Sequence, residues 1–278
     1  MTISSPHSLP HLGIGLGLRR RYLDEIAETR PSSIDWFEVS PENYIGRGGK
    51  ARALFEEIAA QYPIVAHGLS LSIGSLDPLD WDYLRDLKVF LRSYKIPWFS
   101  DHLCFSSVNA HFLHDLLPLP FTEEAARHVS DRARMVQDFL EVPVGLENIS
   151  YYLSPAPPEM TETTFIREIL DRSGVSLMLD INNVYVNAHN HGFDPRAYLR
   201  EVAGERILQL HIAGHFQESP DLIIDTHGDT IRPEVWDLLR YLASLRPLPP
   251  ILIERDNNLP PLSELLEEVA IARDSISA

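Results

Sequence analysis

Short apolar runs alternate with longer stretches of helical period along almost the whole chain. Eight runs have strand character, at 13–18, 36–39, 64–67, 98–101, 144–147, 177–180, 208–212 and 251–254. The segments between them repeat apolar residues at i, i+3 and i+4, the spacing that lines one face of a half-buried helix. This spacing is clearest at 51–61, 81–94, 123–140, 165–172, 233–245 and 263–272. Asp194 and Pro195 open a further helix as N-cap and first turn, and Gly204 closes it. Prolines at 155, 157 and 158, and at 247, 249 and 250, read as loops between apolar elements. No repeat or flexible linker divides the chain.

Eight strand–helix units predict an α/β fold, a (β/α)8 TIM barrel, which typically takes about 250 residues. The expectation is one domain over 1–278, with 1–12 as a loose N-terminal extension. A doubly wound parallel sheet is the competing assembly of the same units. Two glycine-rich stretches could favour it, and neither has the required chemistry. Gly13-Ile-Gly15-Leu-Gly17 lacks the dinucleotide-binding spacing. Gly46-Arg-Gly48-Gly49-Lys50 is followed by Ala51, where a phosphate loop needs Ser or Thr to hold magnesium. The first is read as a close-packed strand and the second as a loop.

The strands end on unusual residues. The runs read I-V-A-His67, F-S-Asp101-His102, G-L-Glu147-Asn148, L-M-L-Asp180, L-Q-L-His211 and I-L-I-Glu254, with Glu38 less cleanly placed in W-F-Glu38-V-S. Buried ionisable groups are costly unless paired or bound to metal. In a barrel all these strand ends share one face, where active sites are built. Taken singly, each has an ordinary explanation: a structural histidine, an Asp capping the next helix, or a Glu paired with an Arg such as Arg255. Caps and ion pairs do not select carboxylate and imidazole repeatedly at the same strand end, so the joint pattern predicts a metal site.

The loops after the sixth and seventh strands add Asn182, Asn183, Asn187, His189 and His191, then His215, Asp225, His227 and Asp229. Asp225 and His227, two apart in an extended segment, would point to the same side. His191 and Asp229 are read as supporting residues, and His7, His11, His111, His114 and His128 as peripheral. Imidazoles with carboxylates and one amide suit iron, manganese or zinc rather than Cu(I) or iron–sulfur chemistry. Four carboxylates (Glu147, Asp180, Asp225, Glu254) and four imidazoles (His67, His102, His211, His227) exceed one ion's needs, which implies two or three ions.

Composition narrows the setting. Against 24 Lys+Arg stand 40 Asp+Glu, a formal net charge of −16. This argues against a nucleic-acid or anionic-membrane surface, whose phosphates are met mainly by Lys and Arg. No apolar run approaches the roughly 18 residues of a membrane helix. The N-terminal segment lacks the pattern of a cleaved signal. The single cysteine, Cys104, excludes an internal disulfide and suits a reducing, cytoplasmic setting; it is read first as a small buried hydrophobe.

These blocks, in order, resemble the multinuclear non-heme iron-dependent oxidative enzymes, the family that includes the methanobactin-biosynthesis iron enzyme. The resemblance runs from Gly13 to Asn258. It is carried by F-E-V-S-P-E-N-Y at 37–44, H-G-L-S-L-S-I-G at 67–74, S-D-H-L-C-F-S at 100–106, E-N-I-S at 147–150, L-D-I-N-N at 179–183, H-I-A-G-H at 211–215 and D-T-H-G-D at 225–229. It implies a xylose-isomerase-like TIM barrel with two or three iron ions, mixed Fe(II) and Fe(III), at the C-terminal face. The implied ligands are His67, His102, Glu147, Asn183, His211, Asp225, His227 and Glu254, with Asp180 close by. It also implies O2 as co-substrate, a ribosomally made peptide modified usually at cysteine, and a small partner protein that delivers the peptide.

Two rival functions fit the same residues. One is a metal-dependent hydrolase or isomerase, similar to endonuclease IV or the xylose isomerases. None of the three lysines (Lys50, Lys88, Lys95) lies at a strand end to relay a proton in sugar isomerisation, and the acidity disfavours a DNA-backbone substrate. The other is a metal-sequestering barrel without turnover, which the excess of ligands makes less attractive.

Overall fold

Walking along the chain, β1 (Ile14–Gly17), β2 (Trp36–Val39), β3 (Ile64–His67) and β4 (Phe99–His102) pair in parallel, each beside the last. A hairpin of β5 (Phe105–Val108) and β6 (His111–Leu117) then leaves the sheet. The barrel resumes with β7 (Val144–Glu147), β8 (Ser176–Asp180) and β9 (Ile207–Ile212). After a second hairpin, β10 (Phe216–Ser219) and β11 (Leu222–Ile224), strand β12 (Ile251–Ile253) pairs with both β9 and β1 and closes an eight-stranded parallel barrel. This computed structural model describes residues 9–109, 111–153, 157–202 and 204–277. His7 and most of the expected N-terminal extension lie outside them.

Nine α-helices occur among the described residues, most of them on the barrel exterior: α1 (Leu23–Thr29), α2 (Lys50–Ala59), α3 (Trp81–Ser93), α4 (Glu123–Leu140), α5 (Glu162–Ser173), α6 (Ile181–His191), α7 (Pro195–Glu201), α8 (Pro233–Leu245) and α9 (Leu262–Ser277). Their starts are chemically marked. The side chains of Asp80, Thr122, Thr161 and Asp194 each accept backbone N–H bonds from the first turn that follows. Gly174 and Gly192 take the left-handed conformation that ends α5 and α6. None of the described helices is long and apolar enough to cross a membrane.

Trp36, Val65, Trp98, Leu208 and Leu252 form an apolar cluster inside the barrel, with the two indoles edge to face at 6.5 Å. Gly15 explains the glycine-rich first strand, because a Cβ there would lie 2.3 Å from the Trp36 ring. The stretch is a packing device, as its spacing indicated. Residues 181–191 correct the sequence reading: the donors placed there in a loop lie on α6. The polar run Asn-Asn-Val-Tyr-Val-Asn-Ala-His lacks strong helical periodicity, yet its buried side is held by Asp180 as N-cap and by side-chain bonds from Asn183 and Asn187. The two hairpins also interrupt what the apolar pattern presents as plain strand–helix connections.

Candidate metal centre

The strand ends converge at the C-terminal mouth, in a cavity of about 440 Å³ lined by His67, His102, Glu147, Asn183, Asp225, His227 and Glu254. A larger cavity of about 590 Å³ beside β5 and α4 contains none of these groups. At the mouth three clusters of ligand atoms adjoin. The first is His67, His102 and Glu147; the second is Glu147, Asp180, His211 and Glu254; the third is His227, Glu254 and Asp256. Glu147 belongs to two of them and so does Glu254.

In the first cluster, His67 Nε2 and His102 Nε2 are 3.3 Å apart and lie 3.1 and 3.2 Å from Glu147 Oε2. Donors about 2.1 Å from one ion are separated by about 3.0 Å in an octahedron and about 3.4 Å in a tetrahedron. The triangle therefore has the size a metal ion requires. Ser100 Oγ lies 2.9 Å from His67 Nδ1, turning Nε2 toward the cluster.

The second cluster is joined to the first by Glu147, whose Oε1 lies 3.9 Å from His211 Nδ1. His211 Nδ1 also lies 2.8 Å from Glu254 Oε2, while its Nε2 faces Glu38 Oε2 at 3.1 Å. Arg19 pairs with the other Glu254 oxygen at 3.1 Å and also with Asp256, so part of the carboxylate charge is balanced by protein. Arg255, which the sequence offered as a partner for Glu147 or Glu254, instead pairs with Glu268 at 3.1 Å.

Asp180 has a divided role. Its Oδ1 caps α6 by accepting the Asn183 N–H at 2.6 Å, and Asn148 straps its backbone through both amide atoms. Its Oδ2 faces the mouth, 3.7 Å from His227 Nε2. One carboxylate thus caps the helix and faces the mouth. Asn183 donates its amide N–H to the Asn148 carbonyl, which leaves Oδ1 without a hydrogen bond.

The third cluster rests on a loop. Asp225 Oδ1 lies 2.9 Å from His227 Nε2, and Asp225 also accepts bonds from Ser150 and Asn182. The segment is not extended: His227 has φ +46°, and its carbonyl accepts the Asp256 N–H at 2.8 Å. The pair meets through this kink rather than by strand alternation. Gly214 seats the loop, since a Cβ there would lie 1.9 Å from the Asp229 carbonyl oxygen.

The electrostatics of the mouth suit a cation. Six of the eleven buried side-chain atoms without a hydrogen bond among the described residues are His102 Nδ1, Glu147 Oε2, Asp180 Oδ2, Asn183 Oδ1, His211 Nδ1 and His227 Nε2. Native proteins leave few such atoms unsatisfied. Without metal, burial opposes the His102 charge, but Glu147 and Asp101 outweigh it and raise its pKa to about 9. Burial drives Asp180 well above the carboxylate range, and neighbouring Glu147 and Asp225 add to the shift. Carboxylate and imidazole atoms thus face one another across gaps that metal ions could fill, and ions bound there would displace the His102 proton.

All nine residues singled out in the sequence meet at this mouth. Asp256, a member of the third cluster, was not singled out; its only signal was its place two residues beyond the Glu254 strand end. Glu38 was noticed but not assigned, and it stands behind His211. His215 turns away, stacked on Tyr185 and bonded to Asn182 Oδ1 at 2.8 Å. His189 and His191 bond to backbone carbonyls, and half-buried His128 bonds to the Ser75 carbonyl instead of facing solvent freely. Cys104 is buried outside the three clusters, and burial pushes its thiol up.

The sequence profile of the family described as RiPP precursor modification enzyme MbnB/TglH/ChrH matches residues 13–277. A UPF0276 protein of Shewanella sediminis is 46% identical over 256 residues, covering 92% of this chain and 91% of the relative. Another from Neisseria meningitidis serogroup B is 45% identical over 263 residues, covering 94% of each. Among solved structures, a xylose isomerase domain protein from Alicyclobacillus acidocaldarius superposes with a TM-score of 0.63 at 16% identity, over 96% of this chain and all of that one. The IOLI protein with a bound zinc atom superposes with a TM-score of 0.57 at 12% identity, over 95% of this chain and 98% of that one. These two likenesses show the xylose-isomerase-like barrel.

Proposed function

Because the chain belongs to the MbnB/TglH/ChrH family of RiPP precursor modification enzymes, we propose that it is an iron-dependent oxidative enzyme. It uses O2 to modify residues, cysteines first among them, of a ribosomally synthesised peptide in the cytoplasm. The observation that carries this is the sharing of Glu147 and Glu254 between adjoining ligand clusters, an arrangement suited to several ions rather than one.

His67, His102 and Glu147 would hold one ion, and Glu147, Asp180, His211 and Glu254 a second. His227, Glu254 and Asp256 would hold a third, with Asp225 and Asn183 adjoining. Iron in mixed ferrous and ferric states supplies redox capacity toward O2 and, as a Lewis acid, favours a substrate thiol as its thiolate. The protein's part is placement. Ser100 and Glu38 aim the imidazoles, and the Asn148 strap holds Asp180 in register. Leu69, Leu116 and Ile149 line the same cavity and shield a bound thiol from water, while Asn43, Ser150 and Asn257 offer hydrogen bonds to a peptide backbone. A small partner protein would bring the peptide to this mouth.

Anaerobic purification, an iron count, and O2 uptake with a co-encoded cysteine-bearing peptide test the proposal. Peptide mass change coupled to O2 consumption is expected. A protein that binds no iron on reconstitution sinks it. Zinc or manganese dependence with no O2 uptake would replace it with the hydrolase or isomerase reading.

A further inference from the structure

Among the described residues, Arg19 is the one Lys or Arg that lines the mouth cavity, and it lies two residues beyond β1. Its guanidinium grips one short stretch of chain. Nε donates to the Arg255 carbonyl at 3.0 Å, while Nη2 donates to Glu254 Oε1 at 3.1 Å and also to Asp256 Oδ1. The Arg255 side chain takes no part, since it pairs with Glu268. Each gripped carboxylate keeps its other oxygen clear of the guanidinium. Glu254 Oε2 lies 2.8 Å from His211 Nδ1 and 3.3 Å from His227 Nδ1. Asp256 Oδ2 lies 3.5 Å from His227 Nδ1. Glu147, the other shared carboxylate, differs: it faces His67 and His102 with Oε2 and His211 with Oε1.

We propose that Arg19 is a positioning residue that clamps Glu254 and Asp256 by one oxygen each, so that Glu254 serves both of its clusters through Oε2 alone. A carboxylate left free can meet an ion through one oxygen or both. Here Oε1 and Oδ1 are held by a charged donor that is itself anchored on the backbone, which leaves Oε2 and Oδ2 facing His227. A lysine would keep the charge but not the planar fork that reaches the carbonyl and both carboxylates together. The clamp rests on the metal reading above and adds to it the group that orients the loop-borne side of the centre.

The test loads the full chain, stripped of metal, with Zn(II). Diffraction at the zinc absorption edge should show Glu254 on zinc through Oε2 and Asp256 through Oδ2, with Arg19 still on the other two oxygens. In calorimetric zinc titrations, the step missing from His227→Ala identifies the third cluster. Affinity at that step should fall about 10- to 100-fold in Arg19→Met, the usual cost of losing a group that orients a ligand. The His67–His102–Glu147 step should stay unchanged. Arg19→Lys should bind more like Arg19→Met than like the wild type, although it keeps the charge. Should Arg19→Met fail to fold, the wild-type diffraction decides. Zinc held by both Glu254 oxygens, a third cluster left empty by zinc, full recovery in Arg19→Lys, or an unchanged third step in folded Arg19→Met overturns the clamp alone. Failure to bind zinc, iron or manganese at all overturns both the clamp and the metal reading.

Discussion

The His67–His102–Glu147 cluster and the His227–Asp256 cluster are built on different supports. The first draws all its side chains from the last residues of β3, β4 and β7, and all are buried. The second stands on the 225–229 loop and the residues after β12, and Asp256 is exposed. The first cluster stands on strands that pair with one another in the barrel wall. The second depends on a left-handed residue, the close seat at Gly214 and bonds to Asp225 from Ser150 and Asn182. If the proposed ions are bound there, the buried strand-borne cluster is the better suited to retain metal and the exposed loop-borne one to exchange ligands.

Removing the link should have the largest effect. Glu147→Ala takes a carboxylate from two clusters, so activity should fall by more than the roughly 100-fold that losing a supporting group can cost. Metal content should fall by more than one ion per chain. Loss of a single ion would show that Glu147 is not shared. Changing the loop should be milder: His227→Ala or Asp225→Asn should remove one ion and leave the strand-borne cluster loaded, as read by metal analysis and Mössbauer spectroscopy. Equal loss of every ion in these variants would break the distinction between the two supports.

A third test uses pH. The His102 pKa, raised to about 9 from its ordinary 6.5, makes a contribution to metal-free stability that is fully present below about 6.5 and lost as pH rises through about 9. Metal affinity should rise over the same window, because ions displace that proton. Melting metal-free protein from pH 6 to 10, against His102→Gln, should show the wild-type advantage shrinking with pH; an advantage that grows would refute it. The smallest effect belongs to a control outside both clusters. Burial pushes Glu162 up to about 7, against the bonds from Tyr198 and Tyr151. Its ionised form costs the fold above that pH, so Glu162→Gln should raise the melting temperature by a few degrees at pH 8, vanish as a difference below about pH 4.5, and leave the metal count unchanged.

Legibility in the sequence followed the same division. Strand ends announced themselves because an apolar run that stops on His, Asp or Glu is expensive unless those groups meet partners. The loop residues Asp225 and His227 were visible in the sequence, but the reason they meet was not, since it lies in a kink secured by the backbone after β12. Asp256 carried no pattern of its own. The helix at 181–191 was hidden because its buried side mixes Asn182, Asn183 and Asn187 with Ile181, Val184, Val186 and Ala188, and the bonds of Asn183 and Asn187 to Asn148 and Ile149 exist only once β7 and β8 lie side by side.

The sequence by itself determined the eight-unit barrel and the set of ionisable strand ends, since periodicity and burial cost act locally and repeat along the chain. Tertiary structure alone decided which oxygen or nitrogen of each residue faces the centre. Glu147 is shared, Asp180 divides between cap and mouth, and His211 backs onto Glu38 because of contacts between strands distant in sequence. Hydrogen-bond partners select which atom of each residue faces the mouth, and those partners are assembled only when the barrel closes.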